Sequence, residues 1–234
     1  MSVADSAVPL AQGPSDAQRK GLRRVALLTV GGLFVAAVTG AVSTMTIAPA
    51  VYSFGRWGGT IAILATFFFA HRFCRTMVYG DHKIAGFVLA AMAEGISFGF
   101  LLLTTLAWAP EGQIGSAFAL LGQALFLTVA TAFGMLVYVW FNRSDFSVIR
   151  AGLAMAGIPM LVLMGLTVFF PIGGTMGLII SALFVLFSAG GLLYRLNYVV
   201  HELTEEQSVE GAYEITMGLL VLLWNIITLL NRRR

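Results

Sequence analysis

The sequence predicts an all-α bundle of membrane-spanning helices, and three observations lead there. Val25 to Gly55, Gly112 to Asn142 and Ala151 to Tyr194 each run without a single Asp, Glu, Lys or Arg. A membrane span needs about 20 apolar residues, so the last of these runs has room for two. Hydrophobic residues make up 59% of the chain and charged residues 11%, where a soluble domain carries about 25% charged; mean hydropathy is +0.89. The longest stretch left between spans is residues 201–210, too short for a soluble domain. The single Cys74 supports neither a disulfide framework nor a Cys/His metal spacing, and reads as a packing residue.

Taken in order, residues 1–20 form a flexible polar cytoplasmic tail and residues 21–234 the transmembrane domain. The first eighteen residues are small, polar and Pro-containing, the composition of a segment that cannot bury a core. Arg19, Lys20, Arg23 and Arg24 precede a first span at Val25–Ile47. That basic start and Ala48-Pro49-Ala50 mimic a secretory signal, but a signal's apolar core is only about 7–15 residues, so the run is an anchored span. A second span at Trp57–Phe73 is the shortest, because fourteen residues separate Arg56 from His71; it crosses only if those side chains snorkel to the interfaces. The third span is Ile84–Trp108, the fourth Ile114–Phe141 and the fifth Val148–Phe170, with Pro159 expected to kink it. Pro171-Ile172-Gly173-Gly174 makes a tight turn. The sixth span is Met176–Val200 and the seventh Gly211–Leu230. Seven helices are expected, and six if the second does not cross.

Lys and Arg accumulate in cytoplasmic loops. With the N-terminus inside, ten of the fourteen basic residues lie on the inner side, leaving Arg56 and Arg232, Arg233 and Arg234 outside. The terminal triplet would move inside only if the last helix dipped in and returned. The net charge of +3 and pI near 9.3 are accounted for by basic helix ends facing anionic headgroups; the partner is the lipid bilayer, with no nucleic-acid role. Small residues four apart let helices approach closely in lipid. Such seams are Gly32, Ala36, Gly40 and Thr44 in the first span, Gly86, Ala90, Gly95 and Gly99 in the third, and Ser188, Ala189, Gly190 and Gly191 in the sixth.

An ionisable residue inside the bilayer is costly and so is a functional candidate with an expected partner. Glu94 lies ten residues into the third span, ~15 Å deep at 1.5 Å per residue, on a face shared with Ala90, Ala91, Ser97 and Phe98. It reads either as a proton or cation site or as a hydrogen-bonded structural carboxylic acid. Arg195 and Glu214 stand at similar shallow depth and either pair or snorkel separately. Asn225 is the deepest polar residue of the last span and fits an interhelical hydrogen bond. His71, His82 and His201 fall at the inner interface, where they form a cytoplasmic pH-sensing rim or an ordinary solvated one. Gly95-Ile96-Ser97-Phe98-Gly99 matches the GxSxG of hydrolases, but that pattern needs a strand-to-helix turn with His and an acid in reach; here it is mid-helix, and no His is expected at its depth. No Walker or HExxH motif and no acidic metal-ligand cluster occurs. The sequence therefore predicts no enzyme, no catalytic residue, no metal and no cofactor.

Ala93-Glu94-Gly95-Ile96-Ser97-Phe98-Gly99, the run from Tyr138 through Asp145 to Ser147, and Ser181 to Gly190 together make the chain similar to the Bax inhibitor family, nearest its bacterial YccA-like branch. The resemblance covers most of the chain from the third span onward. It implies seven helices with six around a central one, a cytoplasmic N-terminus and a bacterial inner membrane. Some members of that family leak calcium in a pH-dependent way through two aspartates on the sixth and seventh helices. Those positions correspond here to Arg195 and to Gly218 or Leu222, neither acidic, and a cation at a cation gate repels the ion it should admit. Members of the YccA-like branch instead bind and restrain a membrane-anchored AAA protease through a short N-terminal tail. The resemblance thus implies a regulatory subunit with a membrane-protein partner, and alternatively a pH-dependent calcium or proton leak through Glu94.

Overall fold

In hydrocarbon no water is available to satisfy backbone N–H and C=O groups, and an apolar segment meets that requirement internally by coiling as a helix. A computed structural model describes residues 16–107, 114–142, 146–169 and 173–232. The helices are α1 (Asp16–Met45), α2 (Ile47–Tyr52), α3 (Arg56–Phe68), α4 (Arg75–Val78), α5 (Lys83–Ala107), α6 (Ile114–Phe141), α7 (Ser147–Phe169), α8 (Gly174–His201) and α9 (Ser208–Asn231), with a π-helical turn at Phe69–Cys74 joining α3 to α4. Among the described residues six stretches are long and apolar enough to cross a membrane: Arg19–Met45, Trp57–Val78, Lys83–Leu106, Phe118–Phe141, Gly174–His201 and Ser208–Asn231. The chain is a multi-pass membrane protein. The expected fifth span is α7, which runs 23 residues from Ser147 to Phe169 and continues through Pro159; the apolar stretch described within it is Val148–Met160. The turn expected at Pro171–Gly174 lies partly outside the described residues.

Two expected boundaries shift furthest. The first helix starts at Asp16, inside the segment expected to be tail, so the basic residues before Val25 sit on helix; the rest of that tail lies outside the described residues. The second span runs on to Val78, five residues beyond Phe73, because the π turn carries the helix past His71 and Arg72 without a break. At 22 residues it is long enough to cross, with Arg72 and Arg75 in its last two turns.

The interior is shared by α5 and α9. Of their most apolar stretches 61% and 44% of residues are buried, against 28% or less in the other spans. α5 packs on α1, α3, the π turn, α4 and α9, while α9 packs on α1, α5, α6 and α8. The α1–α5 contact is the closest, and glycine makes it so. A Cβ on Gly95 would stand 2.5 Å from the Ala36 carbonyl oxygen, and one on Gly99 would stand 2.9 Å from the Thr44 nitrogen. The approach lets the Ser43 hydroxyl donate to the Ile96 carbonyl at 3.1 Å and the Thr44 hydroxyl to the Gly99 carbonyl at 3.4 Å. The seam expected in α8 behaves otherwise: a Cβ on Gly190 would meet only Leu153 Cδ2, at 3.5 Å, and one on Gly191 nothing within 4 Å. Gly190 makes ordinary contact with α7, and Gly191 borders open space.

Polar ties fix both ends of the bundle. The Asn231 amide donates to the Thr105 hydroxyl at 2.9 Å, joining the C-terminal ends of α9 and α5. At the opposite end, His201 Nε2 lies 3.0 Å from the Val139 carbonyl oxygen, joining α8 to α6. That second end is also where α4 stops and where α5 and α9 begin.

Candidate functional site

At this end four side chains meet. Arg75 and Tyr79 are four residues apart, which puts both on one face of the helix and its closing turn; Arg195 comes from α8 and Glu214 from α9. Arg195 Nε lies 3.2 Å from Glu214 Oε2, and its Nη1 donates to the Glu214 backbone carbonyl at 3.1 Å. The Tyr79 hydroxyl donates to Glu214 Oε1 at 2.8 Å, and Arg75 Nη2 stands 3.6 Å from the same oxygen. The Arg75 guanidinium lies 5.5 Å from the centre of the Tyr79 ring, within cation–π range. Burial, and then the Glu214 charge, push the Tyr79 phenol well above its ordinary value, which keeps it a donor. Tyr194 and Tyr198 help to wall a cleft of about 400 Å³ at this cluster. Two guanidinium groups on one carboxylate leave the mouth of the cleft with excess positive charge. Arg195 and Glu214 are thus paired, where the sequence left pairing and separate snorkelling open.

Glu94 lies deeper, on α5, at 4% exposure. His71 Nε2 is 3.6 Å from its Oε1, too long for a hydrogen bond, and that oxygen has no hydrogen-bond partner among the described residues. The expectation that no His reaches this depth is therefore corrected: the second helix extends beyond His71, so the imidazole sits within the span. There it also meets Phe67 edge-on, with 4.1 Å between ring centres. Ser97, one turn on from Glu94, shares a hydrogen bond with the Thr66 hydroxyl at 2.5 Å and donates to the Ala93 carbonyl at 3.3 Å. The GxSxG run is mid-helix in α5, with its hydroxyl engaged in helix packing.

The other expected residues scatter. Asn225 donates to the Phe184 carbonyl at 3.4 Å, linking α9 to α8. His82 is exposed in the α4–α5 turn, His201 is held against Val139, and His71 faces Glu94. Three histidines stand in three environments instead of one rim, because the π turn draws His71 into the span. Among the described residues no three His, Cys, Asp or Glu come close enough together to hold a metal ion.

Sequence reasoning passed over Tyr79, Tyr213 and Glu210, and assigned Arg75 and Lys83 only to the inner side. Glu210 is buried in the first turn of α9 and meets Lys83 Nζ at 2.6 Å; with α9 expected to begin at Gly211 it read as loop. The Tyr213 hydroxyl donates at 3.2 Å to the carbonyl of Ala70, inside the π turn. The usable signal was the four-residue spacing of Arg75 and Tyr79.

The sequence model of the family described as "Inhibitor of apoptosis-promoting Bax1" matches residues 18–234. Protein lifeguard 4 of Mus musculus is 29% identical over 134 residues, which cover 57% of this chain and 56% of that protein. The Golgi anti-apoptotic protein of Vaccinia virus (strain Lister) is 29% identical over 109 residues, covering 47% and 46%; its counterpart in strain LC16m0 matches to the same extent. The chain spans about half the length of the curated relatives it matches. With a match that takes in the six candidate spans among the described residues and both polar clusters, the chain belongs to the Bax inhibitor family.

Proposed function

We propose that this chain is a non-enzymatic regulatory subunit of a membrane assembly, with a membrane-anchored AAA protease as the partner class its resemblance implies. The observation that carries this reading is the occupancy of Glu214. Arg195, Arg75 and Tyr79 all engage its carboxylate, so the mouth that holds Arg195, where the resemblance implies one of two aspartates, carries excess positive charge. At about 4 Å two like charges repel by roughly 4 kcal/mol near a protein surface, which disfavours a calcium ion beside the two arginines. Restraint of a partner also suits relatives whose names describe protection from apoptosis. In the orientation favoured by the Lys/Arg distribution, the N-terminus and this cluster face the cytoplasm. Purification of the tagged full chain in a gentle detergent, followed by mass spectrometry, is expected to recover a stoichiometric membrane-protein partner. Recovery of the chain by itself would overturn the reading.

A second reading, a pH-gated cation or proton path, is favoured by the buried Glu94 oxygen without a hydrogen bond and the imidazole 3.6 Å away. It predicts calcium or proton flux in proteoliposomes that collapses in Glu94→Gln. Equal flux in variant and parent, or none in either, removes it.

A further inference from the structure

The cleft beside Glu214 has two chemically different ends. Its mouth carries Arg75, Arg195 and Glu214, while its floor is Leu153 of α7 with Phe187 and Gly191 of α8. Along α8, Arg195 lies six residues before the helix end at His201 and Phe187 fourteen, or ~9 Å and ~21 Å at 1.5 Å per residue. The wall therefore changes from polar to apolar with depth into the span. Next to Gly191 there is room: an added Cβ would meet nothing within 4 Å.

Charge is distributed as unevenly as polarity. Arg195 is committed to Glu214 through both the carboxylate and the backbone carbonyl. Arg75 approaches that carboxylate only to 3.6 Å and its side chain stays 60% exposed. A guanidinium carries five N–H donors in a planar fork suited to phosphate oxygens, and the largely exposed Arg75 lines the cleft with more donors than its one 3.6 Å approach to Glu214 uses.

We propose that this cleft binds an anionic phospholipid, with its phosphate on Arg75 and the upper part of one acyl chain in the slot beside Gly191. Free phosphate offers the same anion, but it has no use for an apolar floor that descends into the span. The slot explains why small residues occur in α8 opposite Leu153 of α7 without a tight helix contact. This site goes beyond the regulatory reading and does not depend on it, since lipid occupancy and recovery of a protein partner are measured separately.

The test uses the delipidated full chain, titrated separately with dioleoyl phosphatidylglycerol, dioleoyl phosphatidylcholine and inorganic phosphate, with bound lipid counted by native mass spectrometry. Phosphatidylglycerol is expected to bind in preference to phosphatidylcholine, and inorganic phosphate not to compete with it. Arg75→Gln should weaken phosphatidylglycerol about tenfold, the scale of one charge-assisted contact. Gly191→Leu fills open space, keeps both arginines, and should weaken it to a similar degree. Unchanged affinity in Gly191→Leu, equal affinity for phosphatidylcholine, or full competition by inorganic phosphate would each overturn the proposal. If Arg75→Gln does not fold, Gly191→Leu decides by itself.

Discussion

Glu214 is the residue on which the polar end of the bundle turns, and its three partners differ in how much they contribute. Glu214 is 13% exposed and Arg195 34%, so removing the carboxylate leaves a partly buried charge uncompensated, at a cost below the about 3–5 kcal/mol of a fully buried pair. Glu214→Gln should therefore lower the thermal midpoint in detergent by the equivalent of about 1–3 kcal/mol. Arg75, with a side chain 60% exposed, belongs with surface pairs, and Arg75→Gln should cost no more than about 1 kcal/mol. A double-mutant cycle checks the ranking: coupling of Arg195 to Glu214 should exceed that of Arg75 to Glu214, and equal couplings would contradict the geometry. The Arg195–Glu214 contact was within reach of sequence reasoning, because equal depth on consecutive spans can be counted in residues. The His71–Glu94 contact was not. It depends on a turn that adds a residue to the helix, and neither charge spacing nor hydropathy reports that.

Among the elements, α1 and α5 owe their closeness to glycine. Gly95→Ala would drive a methyl group against the Ala36 carbonyl, so it should destabilise the bundle by about 1–3 kcal/mol, the usual cost of overpacking. Gly122→Ala on α6, where an added Cβ meets nothing within 4 Å, is the matched control and should leave the midpoint within about 0.5 kcal/mol. Equal effects would mean that α1 and α5 are not held this tightly. The α1 and α5 seams were legible as small residues four apart. The α8 seam shows the limit of that signal, since small residues fit equally well against a helix and beside a cleft. The long spans were legible for a plainer reason: a charge-free run of this length has few other stable homes. Helix ends were less so. The start of α1 at Asp16 and of α9 at Ser208 fell among polar residues that also suit loops.

For the whole molecule, the chain's single cysteine makes orientation measurable. Cys74 is buried, so in a Cys74→Ser background an introduced thiol reports one position at a time. With the N-terminus inside, Phe54→Cys should react with a membrane-impermeant maleimide in intact cells, whereas Asp81→Cys should react only after the membrane is opened. The reverse pattern would invert the topology and place the Arg75–Arg195–Glu214 cluster on the outer face. Beside the Lys83–Glu210 pair, the bundle holds ionisable groups at two depths, the Arg75–Arg195–Glu214 cluster at the mouth and Glu94 with His71 below it.

That wide turn also bears on how the chain should be aligned with its kin. A π turn closes each hydrogen-bonded ring with one residue more than an α turn, so apolar positions before Phe69 and after Cys74 are out of phase by one. A family member crossing the bilayer here with an ordinary helix should carry a one-residue gap between Phe67 and Arg75. Where that gap appears, the relative's counterpart of His71 has no reason to look towards the counterpart of Glu94.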